Sequence, residues 1–198
     1  AQYLNISDKE LALHFRNYIG QLKSVEVCIY EGGDRRPWAF NAAAVQLFET
    51  FLHNMILASL FAELPRYWTG TKIKWNDEGE GKPKIISLQA ACADATIDLR
   101  QGKFMPLGQQ TRFASFTFTN GVIYADLERK SASVTVTSLD RTAEITLKEK
   151  YHGNYAVQTS LVNAVFSGES IAEDVDGLRN QLEIIEFLLD YLEKNGLG

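Results

Sequence analysis

The sequence predicts an α+β fold: a large, curved antiparallel β-sheet whose apolar face is covered by helices, a long C-terminal helix among them. Three observations lead there. Residues 112–147 alternate apolar and polar side chains through four strand-length segments separated by turn signals. Residues 170–194 carry a capping box, Ser170 with Glu173, followed by apolar residues at spacings of three and four. Residues 41–63 read as a helix whose second half is too apolar to face water on any side.

The elements follow in chain order. Ser7 and Glu10 form a capping box, Ile6 staples onto Leu11, and Leu11, Phe15, Tyr18, Ile19 and Leu22 give the first helix its stripe. A strand is predicted at 24–30, with Val25, Val27 and Ile29 on one face and Glu26, Cys28 and Tyr30 on the other. The glycines and proline of 31–38 mark a loop. The second helix starts at Asn41, presents Val45, Phe48, Leu52, Met55, Ile56, Ser59 and Leu60 as its stripe, and stops before Pro65. Residues 67–75 and 84–90 read as strands joined by a polar loop, and 93–100 as a further strand because Ala93, Ala95, Ile97 and Leu99 alternate with polar residues.

An Asn120-Gly121 turn of type I′ would set Phe118 opposite Ile123, Phe116 opposite Ala125 and Ala114 opposite Leu127. A loop at 128–131 and a turn at Leu139-Asp140 extend the same apolar face through Ala132, Val134, Val136, Ala143, Ile145 and Leu147. The last helix should bury Val175, Leu178, Leu182, Ile185, Leu189 and Leu192, with Ile184, Phe187, Leu188 and Tyr191 broadening its apolar surface, and end on Asn195-Gly196.

With 198 residues, of which 45% are hydrophobic, the chain can bury a sizeable core, and residues 1–198 are expected to form a single α+β domain. Two cysteines, Cys28 and Cys92, are too few for a disulfide framework or a thiolate zinc site and read as buried free thiols. No basic start leads into an apolar run and no segment is long enough to span a bilayer, so no membrane association and a cytoplasmic location are expected. The net charge is −5, and the acids concentrate in the last helix. Without a concentrated Lys/Arg field the chain is a poor nucleic-acid binder, and no nucleic-acid partner is expected.

The search for chemistry finds scattered groups. His14, His53 and His152 share no metal-ligand spacing, no nucleophile elbow is present, and the glycine groups fit neither a P-loop nor a dinucleotide fingerprint. No cofactor, metal or catalytic residue is therefore assigned. Glu49 and His53, four residues apart on a helix, together with Asp94 and Asp98, are the groups from which a hydrolase could be assembled. Arg35, Arg36, Trp38, Arg66, Tyr67 and Trp68 supply the broad, semi-rigid contact area enriched at interfaces, and Phe113 with Tyr124 interrupts an otherwise polar sheet face; these eight are the predicted partner-binding residues. The function expected is a non-enzymatic protein-interaction or structural protein that self-associates, with a protein partner or a second copy bound. The alternative is a domain that binds an apolar small molecule in a cavity between sheet and C-terminal helix, roomy at Ala95, Ala114, Ala125, Ala132 and Ala143. A hydrolase is the third reading.

Overall fold

The computed structural model describes residues 19–33, 42–47, 51–59, 69–79, 82–92, 94–127, 133–138, 141–146 and 172–197. Among the described residues eight strands form one sheet: β1 (Leu22–Tyr30), β2 (Thr69–Asp77), β3 (Lys84–Cys92), β4 (Ala95–Lys103), β5 (Thr111–Phe118), β6 (Gly121–Asp126), β7 (Ser133–Ser138) and β8 (Arg141–Thr146), in the spatial order β2-β3-β4-β1-β5-β6-β7-β8. Two helical pieces, α1 (Ala43–Gln46) and α2 (Leu52–Ala58), lie between β1 and β2 in the chain, and α3 (Ala172–Lys194) follows β8. The expected first helix falls outside the described residues up to Tyr18; Ile19 is buried, and Leu22, expected on the helix stripe, is instead the first residue of β1.

The sheet is mixed, which corrects the expected antiparallel one. β1 pairs with β4 in parallel, Val25 beside Ile97 and Val27 beside Leu99, while every other neighbouring pair is antiparallel. The cause lies in the connections. The long helical crossover after β1 returns the chain to the end where β1 began, as parallel strands require. Two hairpins then reverse direction twice and bring β4 alongside β1 in the same sense.

The β5–β6 hairpin turns one residue earlier than expected. Phe118 pairs with Gly121, Phe116 with Ile123 and Ala114 with Ala125, so Thr119 and Asn120 form the turn. The physical reason is outside the hairpin: Thr119 N–H donates to Gln21 O at 2.9 Å and Asn120 N–H to Ile19 O at 3.0 Å, so the segment entering β1 captures the turn. The pairing slides by two residues, an even number, and the apolar face is preserved. The turns into β7 and β8 agree with the expected register, with Ala125 opposite Val134 and Ser138 opposite Arg141.

One face of the sheet holds the core. Val25, Val27, Ile29, Ile86, Leu88, Ile97, Leu99, Ala114, Phe116, Phe118, Ile123 and Ala125 form a buried cluster with Leu47, Phe51, Met55, Leu57 and Ala58 from the crossover and Ile184, Ile185, Leu188 and Leu192 from α3. Two expected helix stripes are rotated. Val45 is 40% exposed and Gln46 is fully buried, because the Gln46 amide donates to Gln101 O at 3.0 Å and Lys84 O at 3.3 Å. On α3, Leu182 is 45% exposed while Ile184 and Leu188 are buried. The end of α3 is as expected: Gly196 adopts φ 65°, its N–H donates to Glu193 O, and Leu197 N–H reaches back to Leu192 O at 2.9 Å, closing the last turn in a Schellman arrangement. Among the described residues no helix is long and apolar enough to cross a membrane.

Gly102, near the end of β4, sits beside Tyr30 in the parallel ladder. A Cβ there would meet the Tyr30 ring at 2.8 Å and Met105 Sδ at 3.0 Å. Gly102→Ala is expected to destabilise the fold by about 1–3 kcal/mol through overpacking. Urea unfolding checks it; a change below about 0.5 kcal/mol, the range of an ordinary surface substitution, would contradict the tight approach.

Candidate functional site

At one end of the helix-covered face the alternation of apolar residues stops and charged or amide side chains take its place. On β1 the series Val25, Val27, Ile29 continues to Glu31; on β4 Ile97 and Leu99 give way to Gln101 and Lys103. β5, read backwards from Phe118 through Phe116 and Ala114, arrives at Arg112, and β3 passes from Leu88 and Ile86 to Lys84 beside Asp77 of β2. Because neighbouring strands are in register, these residues collect at one place. Gln46, Asn54, Lys84, Gln101 and Lys103 are buried there or beside it.

Two ion-pair systems hold the cluster. Lys103 and Arg112 donate to the two carboxylate oxygens of Glu31, and Lys84 donates to Asp77. Buried charges persist where they are paired and hydrogen-bonded, since leaving one alone costs several kcal/mol. Asn54 Nδ2 donates to Arg100 O at 2.8 Å and fixes α2 over the end of β4. Oδ1 of Asn54 and Oε1 of Gln101 are buried acceptors that meet no hydrogen-bond donor among the described residues.

His53, half-buried on α2, faces this cluster. Burial holds its imidazole below the ordinary value; Glu31 pulls it up, and Lys103 and Arg112 push it down. A histidine kept neutral at pH 7 can accept a proton from a hydroxyl group. Asp77 is depressed too, chiefly by the hydrogen bond from Lys84 and then by the Gly79 N–H, which lies 2.8 Å from its Oδ1. Its contribution to stability is therefore present above the ordinary carboxylate value of 3.8 and lost as pH falls through the depressed one. Thermal melts of wild type and Asp77→Asn should differ most above pH 5 and converge on acidification; a difference that grows toward low pH would contradict the pairing.

The other predicted groups lie elsewhere. Asp98 is on the opposite face of β4, where Gln89 donates to it at 3.2 Å and Arg100 lies beside it and Glu26. Asp94 precedes β4, at the far end from Lys103, and accepts from Gln21 at 2.7 Å. With about 3.3 Å per strand residue, β4 keeps Asp94 well over 20 Å from the cluster. Glu49 is outside the described residues. The hydrolase reading thus fails on geometry, since Asp94 and Asp98 do not converge with His53. Phe113 and Tyr124 stack on the open face with ring centroids 5.6 Å apart, beside neighbouring strands' polar residues. Arg35, Arg36, Trp38, Arg66, Tyr67 and Trp68 are outside the described residues. Cys28, on that same open face, is a buried free thiol pushed up to about 12 by desolvation first and by Asp98 second, and Tyr30 beside it is likewise raised to about 12 by burial. Neither is a nucleophile at neutral pH. Among the described residues no three His, Cys, Asp or Glu side chains converge as a metal site.

Solved structures share this architecture. A 3-ketoreductase, KijD10 from Actinomadura kijaniata, in complex with TDP-benzene and NADP, matches 93% of the chain at 15% identity and a TM-score of 0.64, over 58% of its own length. A Gfo/Idh/MocA family oxidoreductase from Vibrio cholerae matches 100% of the chain at 12% identity and 0.63, over 61% of its length. The chain has the fold of part of these oxidoreductases. UDP-N-acetylglucosamine 3-dehydrogenase GnnA from Acidithiobacillus ferrooxidans matches 90% of the chain at 9% identity and 0.64, over 55% of its length. The chain thus spans about three fifths of the length of these proteins. No protein-family model and no curated protein matches the sequence.

This likeness corrects the expectation of a non-enzymatic interaction or structural protein, because the fold is one carried by oxidoreductases. Of the alanines expected to leave room for an apolar ligand, Ala132 lies outside the described residues, as does the side chain of Ala143. Ala114 and Ala125 belong to the packed core cluster, where small residues let the helices approach the sheet, and the face ends in paired charges. Sequence reasoning singled out His53 but missed Glu31, Gln46, Lys84, Gln101, Lys103 and Arg112. The signal was there: several strands exchange apolar for polar residues at one end of one face.

Proposed function

We propose that the chain supplies the substrate-handling part of an oxidoreductase that interconverts a hydroxyl and a keto group on a nucleotide-linked sugar. The observation that carries this reading is the fold shared across 90–100% of the chain with the 3-ketoreductase, the Gfo/Idh/MocA family oxidoreductase and the UDP-N-acetylglucosamine 3-dehydrogenase. The charged end of the sheet adds the chemistry. His53, held below its ordinary value, would take the proton of the sugar hydroxyl in oxidation and return one to the keto oxygen in reduction, while the hydride on the same carbon would pass to or from a nicotinamide cofactor bound outside the described residues. The buried acceptors of Gln101 and Asn54 suit a ligand rich in hydroxyl donors.

The described residues do not fit a nicotinamide dinucleotide. The sequence has no G-x-G-x-x-G, and α1 and α2 begin at Ala42 and Phe51 without the glycine-rich turn that cradles a pyrophosphate. A Cβ at Gly32 would first meet the Gln110 side chain, at 2.9 Å, and Glu31 beside it would repel phosphate. Such a cofactor is held outside the described residues. The cytoplasmic location expected from the sequence belongs to the same reading, as a reducing compartment where the Cys28 thiol persists.

The test is the nicotinamide absorbance of NADPH mixed with the full-length protein and UDP- or TDP-linked 3-keto hexoses, together with saturation-transfer NMR of UDP-N-acetylglucosamine. Keto-sugar-dependent oxidation and saturation of the sugar protons are expected. Absence of both turnover and sugar contact would overturn the reading.

A further inference from the structure

We propose that Lys84 and Lys103, with Gln101 beside them, form a subsite for a hydroxylated anion. A carboxylate or phosphate oxygen of the ligand sits over the two ammonium groups, and a hydroxyl of the same molecule donates to the Gln101 amide oxygen. The inference deepens the proposed function and rests on it only for the sugar; the anion site stands on the register of the sheet.

Strand order sets the charges of the helix-covered face in a row. Asp77 of β2 pairs with Lys84 of β3, and Lys84 lies directly opposite Lys103 of β4. Glu31 follows β1, one residue beyond the pairing of Tyr30 with Gly102, on the other side of Lys103. The order is therefore acid, base, base, acid, with the two bases adjacent and the acids outside them. Directly opposite residues on one face of an antiparallel pair hold their Cβ atoms about 5 Å apart, and like charges so placed repel. Burial strengthens the repulsion, since Lys84 is 2% and Lys103 7% exposed and little water screens them. Stability alone would set a carboxylate opposite one of them.

Lys84 has hydrogen-bonding capacity to spare. Its ammonium carries three donors and meets one acceptor among the described residues, the Asp77 oxygen that also accepts from Gly79 N–H. The opposite deficit lies diagonally across the same ladder. Gln101 pairs with Ile86, two positions from Lys84, and its buried Oε1 meets no donor among the described residues. Asn54 Oδ1 is a second unmet acceptor, brought close because Asn54 Nδ2 donates to Arg100 O. Spare donors and spare acceptors on one face, not bonded to each other, suit a ligand that presents an anionic oxygen and a hydroxyl on neighbouring atoms, as a sugar acid or a sugar phosphate does. The backbone is fixed at the same point, because Gln46 Nε2 donates to both Lys84 O and Gln101 O and so ties α1 across β3 and β4. Glu31 lies on the β1 side, which leaves the electropositive ground over the β3–β4 ladder.

The experiment has two stages on the full chain. Inorganic phosphate is titrated into the isotope-labelled protein and followed by amide NMR shifts; calorimetry then compares UDP-glucuronate with UDP-glucose, which differ by a carboxylate on the sugar. Phosphate should shift the amides of Lys84, Gln101 and Lys103 saturably, and Lys84→Met should weaken it by about tenfold or more, the worth of one hydrogen bond to a charged group. A preference for UDP-glucuronate that Lys84→Met erases assigns the subsite to a sugar carboxylate; equal binding of both, weakened equally in the variant, assigns it to the diphosphate. Gln101→Leu should weaken the bound sugar nucleotide by roughly fivefold, and unchanged affinity would overturn the hydroxyl contact. Phosphate affinity in Lys84→Met within about twofold of wild type, or shifts confined to other residues, would overturn the subsite. If Lys84→Met does not fold, the wild-type map decides, since shifts at these three amides are required. Phosphate bound there without any sugar nucleotide would remove only the sugar-handling function, and sugar nucleotides bound equally well by Lys84→Met would remove only the subsite.

Discussion

His53→Gln is expected to reduce turnover of a nucleotide-linked keto sugar by about 10²–10⁴-fold, the usual worth of a positioned general acid–base group. The magnitude follows from the site. The imidazole is half-buried beside paired charges, in a setting where water cannot replace it efficiently, and glutamine keeps hydrogen-bonding capacity without a titratable proton. Because burial depresses the histidine, its neutral, proton-accepting form is reached at lower pH than for a free histidine, so wild-type oxidation should already be near its plateau at pH 7. Steady-state kinetics across pH with a thermal melt of the variant checks both statements. A loss below tenfold in a folded variant would remove His53 from proton transfer.

Phe116→Ala is expected to lower the free energy of unfolding by about 3–5 kcal/mol, the range for truncating a fully buried aromatic side chain. Phe116 has no exposed surface. It sits in the middle of the sheet, with Val25 of β1 on one side and Ile123 of β6 on the other, under the helices. At 2–4 °C per kcal/mol for a chain of this size, the melting temperature should fall by roughly 10 °C. Phe113→Ala, three residues earlier on the half-covered open face, should cost much less, because Phe113 stacks on Tyr124 and leaves no closed cavity when truncated. Denaturant unfolding of the two variants makes the comparison; equal losses would contradict the assignment of the two faces.

Much of the local structure was legible. The alternation of Val25, Val27 and Ile29, of Ile97 and Leu99, and of the residues from Ala114 to Ala125 specifies which side of each strand meets the core, since a period of two admits only two choices and one of them would put isoleucines in water. Asn195-Gly196 marked the end of α3 because only a residue tolerant of positive φ closes that turn without strain. His53 stood out as a titratable group four residues after Glu49. The face of each helix was less legible: an all-round apolar helix does not say which side docks, and the burial of Gln46, outside the expected stripe, depends on carbonyl partners on β3 and β4 that come from distant sequence.

The tertiary structure alone decided the rest. Whether β1 lies parallel or antiparallel to β4 depends on where a long crossover returns, and no residue of β1 records that. The hairpin register moved because Ile19 and Gln21, about a hundred positions earlier, offered carbonyls to Thr119 and Asn120. The candidate site was hidden for the same reason. Glu31, Lys84, Lys103 and Arg112 each look like an ordinary charge at the end of a strand, where most charges are solvated. Their meaning comes from being stacked by strand order at one end of one face and then covered by α2, which removes water and makes pairing obligatory. Side-chain alternation is a property of each strand by itself and is written in local sequence; the adjacency of charges is a property of the sheet's order, which only the folded chain fixes.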